Sequence, residues 1–122
     1  MRYSLSFRPE VEDEAVSGYL WYEKKAAGLG EEFLRVFYAG ASEISRNPLL
    51  YRKVHKDFRR RLLKRFPYAI YFSIEEQQVV VFGLFHCARN PAVLKRELQD
   101  RERQRSSKQD EADIARLENE ES

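Results

Sequence analysis

Large apolar and small polar residues alternate at the start of the chain, where Tyr3, Leu5 and Phe7 are separated by Ser4 and Ser6. A period of two places the three large side chains on one face of a short strand. Pro9 follows at a position tolerated in the first turn of a helix, and Glu10, Glu12, Asp13 and Glu14 suit the positive end of a helix dipole. Val11, Ala15, Val16, Tyr19, Tyr22 and Ala26 then recur at helical spacing through about Ala27. Gly28 and Gly30 bracket Leu29 and predict a stop and a fresh start. A second helix is expected from about Gly30 to Ser45, with Phe33, Phe37, Ala41 and Ile44 down one side and Asn47-Pro48 ending it. So short a link predicts an antiparallel helical hairpin.

The period then changes. Phe58 to Phe66 predicts a strand whose alternation breaks at Leu62-Leu63, which points to a bulge or to an ambiguity of frame. Tyr68 to Ile74 predicts a second strand with Ile70, Phe72 and Ile74 on one face, and Glu75-Glu76-Gln77 its turn. Val79 to Phe85 is apolar on both faces, the pattern of a central or covered strand. Asn90-Pro91 breaks it and starts a last helix, expected to reach about Leu98. The order β-α-α-β-β-β-α predicts an α+β domain: a small twisted antiparallel sheet with an α-helical hairpin packed on one face. From about Gln99 only Ala112, Ile114, Ala115 and Leu117 are apolar, which predicts a charged tail, helical or disordered, over 99–122 behind a domain of 1–98.

At 122 residues the chain has room for one core. No apolar run is long enough to span a bilayer, and the start lacks the apolar stretch of a secretory signal. Cys87 is the single cysteine, so no intrachain disulfide can form and a cytoplasmic home is expected. The net charge of +2 conceals an asymmetry. Residues 1–95 carry 16 Lys and Arg against 11 Asp and Glu, and residues 96–122 carry 6 against 9. Within 52–65, eight cations stand against Asp57 alone. Such a concentration repels itself unless it is solvated or faces an anion.

Two histidines 31 positions apart and one cysteine have no metal-ligand spacing, so neither a metal nor a cofactor is expected. Two constellations remain as candidate sites. On the basic strand, alternation predicts Arg59, Arg61 and Arg65 on one face, with Phe58, Leu62 and Phe66 on the other. Guanidinium forks fit phosphate or carboxylate oxygens, so this face suits a nucleic-acid backbone or an acidic protein segment. The plain alternative is an edge strand kept soluble by charge. At the end of the third sheet strand, His86 can serve as acid or base and Arg89 can meet a developing phosphate charge. The plain alternative there is a histidine packed on aromatic neighbours and an arginine paired with a carboxylate. A surplus of aromatics adds a surface. Tyr19 and Trp21 differ by about 200° around a helix, so at least one of Tyr19, Trp21 and Tyr22 faces outward. Phe37 and Tyr38 raise the same question on the second helix, and exposed aromatics of this kind suit a partner.

Strand, helix, helix and basic strand, then "RFPYAIYF" and a hydrophobic strand ending "FHCARNP", resemble the RelE/ParE superfamily of type II toxin–antitoxin toxins over about residues 1–98. Phe66-Pro67-Tyr68, with His86 and Arg89-Asn90-Pro91 at the next strand's end, carries most of the likeness. The resemblance implies a toxin that arrests growth or stabilises a plasmid. It also implies a cognate antitoxin whose extended acidic and apolar C-terminal segment wraps it. ParE-like members inhibit DNA gyrase by binding. RelE-like members are metal-independent, ribosome-dependent endoribonucleases acting on mRNA, and there Arg61, Arg65, His86 and Arg89 would be the catalytic set. Ala69 stands where the nuclease pattern has an arginine after Tyr68, and Lys95 lies near the place of a C-terminal tyrosine. Those departures favour the ParE-like branch. A non-catalytic basic module binding nucleic acid or protein is the third reading. In all three, Arg59, Arg61 and Arg65 with Tyr19, Trp21, Tyr22, Phe37 and Tyr38 are the expected antitoxin or target contacts. The acidic stretch Asp110 to Glu121 is a further candidate, for masking the basic strand from within the chain.

Overall fold

The computed structural model describes residues 3–105, and these divide into two compact units, one ending at Arg89 and one starting at Asn90. The first runs β1 (Ser4–Phe7), α1 (Pro9–Lys25), α2 (Leu29–Arg46), a 3-10 turn (Pro48–Leu50), β2 (Lys53–His55), β3 (Phe58–Leu62), β4 (Tyr68–Glu75) and β5 (Gln78–His86). The strands form one sheet in the order β1-β5-β4-β3-β2. β2 through β5 pair antiparallel, and β1 lies parallel to β5, Ser4 opposite Gln78 and Phe7 opposite Val81. A parallel pair needs a crossover, which the helical hairpin and the intervening strands supply. β2 is the element that periodicity does not announce: three residues among cations are too short to show alternation.

The helices lie on one face of the sheet. Val11 and Ala15 of α1, Phe33, Phe37, Ala41 and Ile44 of α2, and Ile70, Phe72, Val79, Val81 and Leu84 of β4 and β5 share one core. The turn between the helices depends on Gly28, whose φ of 87° is left-handed backbone that a side chain would strain. Glu23 of α1 accepts hydrogen bonds from the N–H of Gly28 (2.9 Å) and of Gly30 (2.9 Å), so a carboxylate from the preceding helix satisfies donors at the start of α2.

The register shifts once between β2 and β3, at Lys53–His55, and once in the β4–β5 ladder. Tyr71 opposes Gly83 and Phe72 opposes Val81, which leaves Phe82 as the extra residue. This shift lets β5 place Val79, Val81 and Leu84 toward the helices while the Phe82 ring meets Phe58 and the Phe85 ring meets Tyr71. A strand apolar on both faces is therefore an interior one, flanked by β1 and β4.

β3 is shorter than expected. It ends at Leu62, and the Leu63 N–H bonds to the Tyr68 carbonyl across a loop in which Arg65 has a φ of 71°. Leu63 and Phe66 both turn into the core, which draws the chain off the sheet at the point where alternation fails. In the second unit the chain is helical from 91 to 105, beyond the expected end at Leu98. Asn90 caps this helix, its side-chain oxygen accepting the Ala92 N–H at 2.9 Å, and a Glu97–Arg101 pair at 3.0 Å supports its second turn. The self-masking stretch Asp110 to Glu121 lies outside the described residues. No described helix is long and apolar enough to cross a membrane.

Candidate functional site

The three arginines of the basic segment do not share a working face. Arg59 and Arg61 point toward the helix layer. Arg61 is 9% exposed, lies against α2 where Gly40 leaves room for it, and pairs with Glu43. Its Nε also donates to the Tyr51 hydroxyl at 3.2 Å. Arg59 donates to the Tyr51 carbonyl. Arg65 has left the strand and pairs with Glu32. Glu32 and Glu43 are 11 residues apart on one helix, so the two pairs are anchored about 16 Å from each other at 1.5 Å per residue. The Arg61 hydrogen bond, and then its charge, hold the Glu43 carboxyl below its ordinary range. The expectation of one guanidinium-lined face is thus corrected, because helix α2 supplies carboxylates that a pattern of strand periodicity cannot foresee. Leu62 lies on the side opposite Arg61, as alternation predicts, but is exposed there, and Phe66 is the member corrected: it has left the strand and turns into the helix-side core. The β3 residue whose cation is exposed is Arg60, outside the set that alternation put forward.

At the end of β5, His86 and Arg89 diverge. The His86 ring meets Tyr68 edge-on at 5.2 Å, and its Nδ1 accepts the Ala88 N–H at 3.0 Å. That bond assigns the ring proton of the neutral form to Nε2. Tyr68 and Tyr22 belong to an aromatic cluster with Phe33 and Phe66. Burial raises both hydroxyl pKa values, and for Tyr22 the neighbouring Tyr68 adds to the rise. The Arg89 guanidinium instead stacks over the Phe85 ring at 4.4 Å, on the side that Tyr71 shares. Gly83 makes this possible, since a Cβ there would run into the Phe85 ring.

On the helices, Trp21 (55% exposed) and Tyr38 (51% exposed) face outward. Lys25 lies 4.3 Å over the Trp21 ring. Tyr19 is half-buried, Tyr22 packs into the aromatic cluster, and Phe37 is core, so Phe37 and Tyr22 are corrected as members of an outward stripe. Val16, expected in the apolar stripe of α1, is exposed and is corrected, Leu20 is exposed as well, and Tyr38 meets Phe7 at 6.1 Å on the edge strand β1. Leu49 and Leu50 form a second exposed apolar pair, beside the edge strand β2.

A helical hairpin on one face of a five-stranded mixed sheet is a fold this chain shares with solved chains of two toxin–antitoxin systems. The chain is similar to a chain of the chromosomal ParDE TA system from P. aeruginosa, at 12% identity, a TM-score of 0.60, and 70% of this chain covering 96% of that one. It is similar also to a chain of the toxin–antitoxin complex RelBE2 from Mycobacterium tuberculosis, at 15% identity and a TM-score of 0.51, with 73% and 95% covered. No family model matches the chain, and no curated protein matches it in sequence.

Proposed function

We propose that this chain is the toxin of a type II toxin–antitoxin module and that it arrests growth by binding DNA gyrase, with no covalent chemistry of its own. The observation that carries the reading is the dispersal of the four residues a phosphodiester-cleaving site would use. Arg61 is held under α2 by Glu43, Arg65 is held by Glu32 in the loop, His86 leans on Tyr68, and Arg89 lies over Phe85. A metal-free ribonuclease needs a base, an acid and a cation within hydrogen-bond reach of one phosphate. The dispersal therefore supports binding over cleavage.

The antitoxin's contacts in this reading are the outer face of α1 and the Phe7–Tyr38 pair. Val16, Leu20, Trp21, Phe7 and Tyr38 are exposed apolar groups of the size that fill hot-spot pockets. The test is inducible expression in a bacterial host, alone and with the small acidic reading frame expected beside this one. Growth arrest with intact transcripts, relaxed plasmid and rescue by the acidic partner is the expected result. Codon-positioned mRNA cleavage lost in His86→Ala or Arg89→Ala overturns the gyrase reading, and unimpaired growth overturns the toxin reading.

A further inference from the structure

Two leucines on the surface of a 3-10 turn need an explanation. Leu49 is 62% exposed and Leu50 is 75% exposed, and the turn that carries them is pinned. Its backbone closes on itself, the Leu50 N–H bonding to the Asn47 carbonyl and the Tyr51 N–H to the Pro48 carbonyl, both at 3.3 Å. Tyr51, the next residue, is fastened at three points. Its carbonyl accepts from Arg59, its hydroxyl accepts from Arg61, and its ring meets Phe72 edge-on at 5.9 Å. The leucines are thus held out on a fixed platform, which spares a binding event the cost of ordering them.

Their surroundings are cationic. Arg46 precedes the turn, and Arg52, Lys53 and Lys56 follow it, all exposed. From 46 to 56 no acidic residue occurs, and Asp57, which follows, is paired with Lys53 at 3.2 Å. β2 itself is the last strand of the sheet, bonded to β3 on one side only. An open strand edge, a fixed apolar pair and four exposed cations lie within a dozen residues of chain.

We propose that Leu49 and Leu50, framed by Arg46, Arg52, Lys53 and Lys56, dock an acidic segment of the protein target that carries its own apolar anchor. Charge complementarity selects an acidic occupant and steers its approach. The two leucines select a protein over a nucleic acid, because phosphate and ribose would leave them facing water. The surface is separate from the α1 face assigned to the antitoxin, since β2 and β1 are opposite edges of the sheet. The proposal rests on the reading of this chain as a toxin that binds gyrase, and it names where that contact is made.

Purified full-length chain is titrated against purified DNA gyrase and, separately, against a 20-nucleotide single-stranded RNA. The variants are L49S/L50S and R52E/K56E, each checked for an unchanged melting temperature, as solvent-exposed substitutions should give. Binding to gyrase and inhibition of supercoiling are expected to weaken about tenfold or more in each double variant, the usual scale for losing a hot spot. Added salt should weaken the wild type more than R52E/K56E. Wild-type inhibition matched by both variants overturns the docking surface and leaves the gyrase reading standing. RNA binding that falls in R52E/K56E while L49S/L50S inhibits gyrase normally also overturns it, in favour of a nucleic-acid occupant. A wild type that neither binds nor inhibits gyrase removes the functional reading and the docking surface together.

Discussion

Replacing Glu43 tests whether the basic strand is structural or operative. In the wild type the Arg61 guanidinium is nearly buried and has three partners: the Glu43 carboxylate, the Tyr51 hydroxyl and the Leu62 carbonyl, the last two at 3.2 Å. Glu43→Gln removes the charge and keeps the shape. A charge-assisted hydrogen bond is worth about 1.5–3 kcal/mol, and because the Glu43 side chain is half-exposed, screening brings the expected loss to about 1–2 kcal/mol. At roughly 4–8 °C per kcal/mol for a unit of this size, the melting temperature should fall by about 5–15 °C at pH 7. The pH dependence has a definite sign. Arg61 holds the folded Glu43 below its unfolded value, so the stabilisation is complete above the ordinary glutamate range and is lost as pH falls through the folded value. The gap between wild type and Glu43→Gln should therefore close in acid. Replacing both partners, as in Glu43→Ala with Arg61→Met, should restore part of the loss because no buried charge is stranded. Thermal unfolding followed by circular dichroism measures all three, and growth arrest at a temperature well below each melting point measures function. Arrest should persist in every variant that folds. An unchanged melting temperature together with abolished arrest would refute the structural assignment and return Arg61 to the working surface.

Other expectations concern the helical layer and its aromatics. Gly40→Ala puts a Cβ 2.8 Å from the Arg61 Nη1 and 3.3 Å from the Ile70 Cδ1, and should cost about 1–3 kcal/mol in urea unfolding. Glu23→Ala strips the acceptor from the Gly28 and Gly30 N–H groups and should cost about 1 kcal/mol by the same measurement. Tyr22 and Tyr68 ionise above the ordinary tyrosine value when folded, so the unfolded chain loses its protons first and stability should fall as pH rises past about 10, visible as late tyrosinate absorbance. Val16→Ser with Leu20→Ser should leave the melting temperature within about 0.5 kcal/mol of wild type, as solvent-facing changes do, while reducing co-purification with the antitoxin.

The chain alone determined most of the architecture. Period-two and helical spacings located β1, α1, α2, β4 and β5 to within a few residues, because each buries a face and burial demands a pattern. The two-faced apolarity of Val79 to Phe85 marked a covered, interior strand, and Asn90-Pro91 marked the start of the last helix. A side chain's partner is another matter. Strand alternation says which way Arg61 points and says nothing of Glu43, 18 positions earlier in sequence, waiting on a helix above it. The same holds for Arg65, whose strand ends three residues before it because Leu63 and Phe66 are drawn into a core built by distant segments. Only the folded chain decided that the cations divide, some consumed by α2 and others left outward near Leu49 and Leu50. Periodicity is a one-dimensional record of burial, whereas charge neutralisation depends on three-dimensional distance, which spacing along a chain does not encode.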